Sequence, residues 1–423
     1  EGEWVSYHDE VKTGFTGYKA VKQDKMKLLK YGRSGDEVFL VFDKTPFYAE
    51  SGGQVGDEGY LESDGVRIRI RGVKKTGDLY VHLGSIEKGE IADLQYTGTI
   101  DTEKRNRIMA NHTATHLLHH SLRKILGSHV AQAGSLVAPD KLRFDFNHYG
   151  PLTQKELSDT EREVNKEIFH NVPVSVKGGV PIEEAKAMGA MALFGEKYGK
   201  NVRVVDIGGF SIELCGGTHI ERTGDIGLFK IIKESSISSG VRRIEAVTNE
   251  AALDLINRYE SILKEASGLL DTGVEGVTAR INDLQQRVRD LEKERKRERK
   301  KDFDEVFDPE KHKVKAGMYN LVLIKLAGHS RDEMREISDR VKNKLEMGVI
   351  FISSVEDDKV AYVLSATGEA VKQGINCGTL LREALKGRDA SGGGRPNLAE
   401  GGGTGPDNIS GAFDRLQEIL ESG

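Results

Sequence analysis

The chain has 423 residues, 37% of them hydrophobic and 30% charged, too long for one ordinary core and suited to two to four soluble domains. Its formal net charge of −5 excludes a chain-wide basic field, so nucleic-acid contacts would need local patches. No apolar run approaches the ~20 residues that span a bilayer, and two cysteines, Cys215 and Cys377, exclude a disulfide framework and point to a reducing cytoplasm.

Residues 1–95 read as a β-rich domain. VFLVF (38–42), VRIRI (66–70) and LYVHL (79–83) alternate or run apolar between turn signals, a pattern of short strands that predicts a small barrel. Within this domain lies TPFYAESGGQVGDEG (45–59). There Gly52 and Gly53 let backbone N–H groups point at an acceptor, and Thr45 and Gln54 offer short polar contacts. An ordinary hairpin turn is the plainer reading of that stretch.

Residues 96–248 read as an α+β domain. Ile108, His112, Thr115, His116, His119 and Leu122 recur at three- and four-residue steps, which predicts a helix over 102–126 ending before Gly127. A mixed stretch follows, with helices expected at 153–169 and around 182–194, and strands at VPVSV and VRVVDIGGFSIEL.

Residues 249–302 read as a helical linker of two helices broken by GLLDTGVEG. Ile281, Leu284, Val288 and Leu291 form an a/d seam of two heptads. Residues 280–301 carry ten Lys/Arg against five Asp/Glu, either a solvated face or a phosphate-tracking or dimer-forming one. Pro309 marks the next boundary. Residues 303–423 read as a C-terminal α/β globular domain, with strands at 321–328, 348–355 and 359–366. The class as a whole is α+β multidomain.

Two stretches carry metal chemistry. In HTATH (112–116), His112 and His116 stand at i and i+4 and so share one helical face. In CGGTH (215–219) the Gly-Gly pair permits a tight turn, so Cys215 and His219 can converge. Imidazole nitrogens with a thiolate suit Zn²⁺ in a tetrahedral site. His119 and His120 are spare candidates. Position 113 is Thr, so the glutamate of the HExxH hydrolases is missing. Three ligands would leave a position for water and four would close the site; both remain open.

These residues resemble a family. HTATH with CGGTH, TPFYAESGGQVGD and SHVAQAGSLVAPDKLRFDF together resemble the editing domain of alanyl-tRNA synthetase, and DASGGGRPNLAEGGG (389–403) resembles that synthetase's last domain. The first residue is Glu1, and the chain reads as the C-terminal half of such an enzyme, archaeal in type. The resemblance implies one zinc per chain on His112, His116, Cys215 and His219. It implies deacylation of Ser-tRNA(Ala), with Gly-tRNA(Ala) as a second candidate, by a site involving Thr45, Gly52, Gly53, Gln54 and Gln132. Thr45 is the expected reader of the serine hydroxyl. It further implies tRNA(Ala) contact through Gly392, Gly393, Gly394, Arg395, Gly401 and Gly402. The remaining partners are a homodimer through 249–302, with 303–423 as a further candidate surface, and an ATP-using aminoacylation domain in the parent. Two other readings are a free-standing trans-editing deacylase and a non-catalytic, zinc-stabilised tRNA-binding and dimerisation module.

Overall fold

The computed structural model describes residues 4–9, 12–192, 199–306, 308 and 312–422. The chain divides into two compact units, residues 1–277 and 278–423.

In the first unit six antiparallel strands close into a barrel. The ring runs Lys22–Ser34, Glu37–Phe42, Leu79–Lys88, Val66–Thr76, Gly59–Ser63 and Gln95–Ile100, and the last pairs back onto the first. Its inward side chains follow the period of two: Val66, Ile68 and Ile70 are buried, while Arg67 and Arg69 between them are exposed. All three strands expected from the apolar runs lie in this ring.

The helix expected at 102–126 is present as Thr102–Leu126, with the Asp101 side chain accepting the Lys104 N–H at 2.9 Å. Its residues 110–119 are buried on every face, because it runs through the middle of the unit. On one side stands a four-stranded antiparallel sheet in the order Gln132–Val137, Leu142–Asn147, Val241–Thr248 and Phe229–Ser238. Helix Gln154–Phe169, opened by a Thr153/Glu156 capping box, adds Val164 and Ile168 to the shared core. A three-stranded sheet, Val174–Pro181, Asn201–Ile207 and Ser211–Leu214, delivers the CGGTH loop. The helix expected around 182–194 is shorter, Ile182–Ala187. Gly189 takes φ 83° and Met191 bridges to Glu213, which turns the chain out of the helix. Residues 193 and 194 lie outside the described residues. Helix Asn249–Leu269 closes the unit.

A buried ion pair ties helix to barrel. Arg105 is 3% exposed and Asp57 2%. The Arg105 Nε donates to both Asp57 oxygens at 2.9 and 3.1 Å, and its terminal nitrogens reach Asp57, the Gly17 carbonyl and the Pro46 carbonyl. Asp57 also accepts the Tyr48 N–H at 2.7 Å.

In the second unit Val277–Val306 is one helix, with Ile281, Leu284, Val288 and Leu291 exposed along it. The basic side chains at 296 and 299–301, and the Pro309 boundary, lie outside the described residues. A six-stranded sheet follows in the order Lys313–Ala316, Tyr319–Ala327, Gly348–Glu356, Lys359–Ala366, Leu398–Thr404 and Ala390–Arg395. Only Tyr319–Ala327 and Gly348–Glu356 pair in parallel. The unit is thus α+β with a single parallel crossover, where an α/β domain was expected. The two glycine-rich segments form a hairpin, Gly392 opposite Gly401 and Gly394 opposite Ala399. A Cβ on Gly378 would lie 2.4 Å from the Gly394 oxygen, and one on Gly392 would lie 2.7 Å from Leu381 Cδ2. The glycines therefore let helix Cys377–Leu385 lie close on the hairpin. No described helix is long and apolar enough to cross a membrane.

Replacing Arg105 by Ala would leave Asp57 buried without its counter-charge, at a cost of about 3–5 kcal/mol. Urea unfolding of R105A measures this, and a loss below about 1 kcal/mol would mean the clamp does not hold helix and barrel together.

Candidate functional site

His112 and His116, one turn apart on Thr102–Leu126, meet Cys215 and His219 from the loop after Ser211–Leu214. Their four donor atoms all lie within 4.8 Å of one another, a grouping that can hold a metal ion. The Cys215 Sγ is 3.4 Å from His112 Nε2 and 3.3 Å from His219 Nε2. The spare candidates stand apart from this grouping: His119 faces Glu213, and the His120 ring is tilted against Phe210.

Each histidine of the cluster turns its Nδ1 to a different fixed partner. His112 Nδ1 is 2.7 Å from Gln54 Oε1. His219 Nδ1 is 3.1 Å from Thr113 Oγ1. His116 Nδ1 is 2.9 Å from Glu213 Oε2, close but out of line for a hydrogen bond. The Gln54 amide oxygen accepts, so the Nδ1 of His112 carries the proton and its Nε2 presents a lone pair to the centre. Gln54 is itself fixed: Oε1 accepts the Thr218 N–H at 2.9 Å and Nε2 donates to Thr218 Oγ1 at 2.9 Å.

The charges suit a cation. Burial would raise the Cys215 thiol, but His112 and His219 outweigh it and hold the thiol well below its usual value. Burial, reinforced by His112, pushes His219 down to about 3. Burial would also raise the Glu213 carboxyl, yet His116 beside it draws it below the usual carboxylate range. Burial would lower His116, but Glu213 and Cys215 beside it raise its pKa to about 10. His116 must therefore give up a proton to ligate a metal, whereas the Cys215 thiolate and the neutral His219 already have the ligating form.

The CGGTH loop is held by Arg203, which donates to the Cys215 and Gly217 carbonyls at 2.9 and 2.6 Å. A Cβ at Gly217 would lie 2.0 Å from His112 Cε1, so only glycine lets the loop close on the ring.

A cavity of about 100 Å³ adjoins the cluster, with Gly52, His119, Gln132 and Glu213 in its wall. It has room for a small group. Thr115, Ser135 and Glu213 also line the cavity, and none of the three stands out as a site residue in the sequence. Thr115 sits inside HTATH and Glu213 two residues before Cys215, and those positions were the available signals.

Of the expected site residues, Gln132 and Gly52 line the cavity. Gln54 acts behind it, on His112. Gly52 and Gly53 take φ 58° and 80° in a tight turn whose ends, Ser51 and Gln54, exchange backbone hydrogen bonds. Gly53 packs on Ser135, where a Cβ would lie 2.5 Å from the Ser135 oxygen. Thr45 is not brought to the cavity. It is fully buried, its hydroxyl donating to His82 Nε2 at 2.7 Å and accepting the Phe47 N–H at 3.2 Å. His82 Nδ1 in turn donates to the Leu40 carbonyl at 3.0 Å. In the second unit, Gly392, Gly401 and Gly402 line a groove of about 710 Å³ with His329, Arg331 and Lys359. Gly393, Gly394 and Arg395 are exposed on the hairpin outside that lining.

Three regions of the chain match described families. Residues 202–245, which include Cys215 and His219, match the threonyl and alanyl tRNA synthetase second additional domain. Residues 3–104 match the class II (A) tRNA synthetases, and residues 319–422 the DHHA1 domain. Over 97% of its length the chain is 41% identical to the alanine–tRNA ligase of Acetivibrio thermocellus and 40% identical to that of Bacillus subtilis. It covers 48% of each, so it spans about half the length of the curated relatives it matches. The C-Ala domain from Aquifex aeolicus alanyl-tRNA synthetase matches 26% of this chain and 97% of its own, at 29% identity and a TM-score of 0.25. The matches relate the chain to the alanyl-tRNA synthetase family through its second-additional-domain and DHHA1 regions. The alanine–tRNA ligase relatives are bacterial, and the archaeal character expected from the sequence is not shown by them.

Two outcomes follow from this geometry. Gly217→Ala would push His112 off the centre, and retention of divalent metal after dialysis should fall at least tenfold; unchanged retention would remove the close approach from the design of the site. His82 is held neutral, its pKa pushed from 6.5 down to about 4 by burial, against the opposing hydrogen bond to Leu40. Between those values the unfolded chain binds the extra proton, so this contribution is complete above pH 6.5 and fades as pH falls toward 4, by roughly 3 kcal/mol. Unfolding of the wild type should therefore depend on pH more steeply there than unfolding of His82→Gln, and equal slopes would contradict it.

Proposed function

We propose that the chain hydrolyses the ester of mischarged Ser-tRNA(Ala), with Gly-tRNA(Ala) as a second substrate, as the editing portion of an alanyl-tRNA synthetase acting in the cytoplasm. The observation that carries this reading is the small cavity set against the His112, His116, Cys215 and His219 cluster. Three imidazole nitrogens and one thiolate fit Zn²⁺, one ion per chain. Bound there, zinc would supply a fixed positive charge at the cavity wall.

The need for such a site is physical. A pocket shaped for alanine cannot exclude glycine by size and rejects serine only weakly, so a second, hydrolytic site is required. In the reaction, water adds to the ester carbonyl carbon, the bond to the ribose oxygen breaks, and that oxygen takes up a proton. The Gly52–Gly53 turn supplies backbone donors for the carbonyl, and Gln132 orients the aminoacyl group. Gln54 keeps His112 in register. Thr45 acts as a positioning residue that pins the start of the 45–59 loop through His82. Residues 1–95 and 96–248 together form this deacylase. Residues 303–423 hold tRNA(Ala), through the groove flanked by Arg331 and Lys359 and through Arg395 with the glycines beside it. Residues 249–302 form a homodimer seam using the apolar positions exposed along Val277–Val306. The aminoacylation domain of the parent protein is the remaining partner.

Purified chain should contain about one zinc, and H116A/C215A should lose it. The wild type should release serine from Ser-tRNA(Ala) much faster than alanine from Ala-tRNA(Ala), and chelation should stop it. Failure of zinc-loaded protein to hydrolyse Ser-tRNA(Ala) would leave only a tRNA-binding and dimerisation module. Removing 303–423 should raise the half-saturating tRNA concentration more than it lowers the maximal rate, and should flatten the salt dependence of binding.

A further inference from the structure

One buried nitrogen of a cavity-lining residue has no partner. His119 is 4% exposed and lines the cavity, and its Nε2 makes no hydrogen bond. Its other nitrogen, Nδ1, lies 3.2 Å from Glu213 Oε1, while the second Glu213 oxygen faces His116. A carboxylate accepts, so Nδ1 carries the proton and Nε2 is left with an open lone pair. The ring also lies against the fully buried Phe144, with centroids 5.3 Å apart, which fixes its direction. His119 is not among the four clustered donors. Nearly all buried polar atoms find a partner, so an open acceptor on a residue that lines a cavity is a place for a donor brought by the ligand.

The nearby hydroxyl of Thr115 already donates to the Asn111 carbonyl at 2.8 Å. An imidazole nitrogen with an open lone pair selects a hydrogen-bond donor. Among small aminoacyl groups, the side-chain hydroxyl is the donor that serine has and that alanine and glycine lack.

We propose that His119 Nε2 accepts a hydrogen bond from the side-chain hydroxyl of a small hydroxyl-bearing aminoacyl ester, making His119 a specificity-determining residue of the site. The proposal rests on the deacylase reading. Glu213 is then a positioning residue that serves two rings: it turns His116 toward the cluster and His119 toward the ligand.

The test uses the full chain with His119→Leu, His119→Gln and His119→Asn. The terminal amide of glutamine reaches about where Nε2 stands, whereas that of asparagine reaches only the place of Nδ1. Zinc content and single-turnover rates on Ser-tRNA(Ala) and Gly-tRNA(Ala) are measured, with Ala-tRNA(Ala) at high enzyme concentration as a second hydroxyl-free substrate. The leucine and asparagine variants should keep their zinc and lose roughly 10- to 100-fold on the seryl ester. Rates on the hydroxyl-free esters should change less than about threefold, and glutamine should restore much of the seryl rate. Parallel losses on all esters would make His119 part of the common chemistry and overturn the specificity role. Loss of zinc would assign His119 to the metal shell, and unchanged seryl rates would take it out of recognition altogether; either result overturns the proposal. Wild-type protein inactive on every ester would instead remove the deacylase reading, and this proposal with it.

Discussion

Three imidazoles and a thiolate can face one point only if each ring is turned by something other than the ion. Here that constraint is met by three different segments. Gln54 comes from a loop of the barrel, Thr113 from the helix that carries two of the histidines, and Glu213 from the strand that leads into CGGTH. The centre is therefore where barrel, helix and strand are made to agree. The Arg105–Asp57 pair holds the same helix to the same barrel loop some two turns earlier. The close approach of Gly217 to His112 leaves the rings little freedom to relax. Removing such groups from water costs several kcal/mol each unless they are paired, and the pairing visible here serves orientation more than stability.

The cavity inherits its character from this arrangement. Its walls include three of the four clustered side chains, His112, His116 and Cys215, together with Glu213, Gly52 and Gln132. On the proposed deacylase reading, a cavity of this size takes a small aminoacyl group. Discrimination at that size cannot come from shape alone, because one methyl or hydroxyl changes shape very little. It must come from hydrogen bonds that one substrate completes and another leaves open.

Much of this was legible from residue order, for identifiable reasons. Helix Thr102–Leu126 shows itself through its three- and four-residue spacing and the glycine that ends it, and the barrel strands through alternation. The cluster is legible because cysteine is scarce and the CGGTH turn needs its glycines. Thr45 was misleading: it adjoins the loop that reaches the centre, but residue order cannot show that its hydroxyl turns into the barrel toward His82, 37 positions away. Glu213 was hidden because a glutamate inside SIELC reads as an alternating strand residue until the fold sets it beside His116 and His119. The glycine-rich tail looked like a ligand loop, yet Gly392 and Gly394 serve first as packing surface for helix Cys377–Leu385.

The most direct measurement is zinc-edge X-ray absorption on the zinc-loaded chain, because it reads the ligand atoms themselves. Three nitrogens at about 2.0–2.1 Å and one sulfur at about 2.3 Å are expected, with the sulfur lost in Cys215→Ser. A six-coordinate, all-oxygen shell, or a sulfur signal that survives Cys215→Ser, would contradict a centre built from His112, His116, Cys215 and His219.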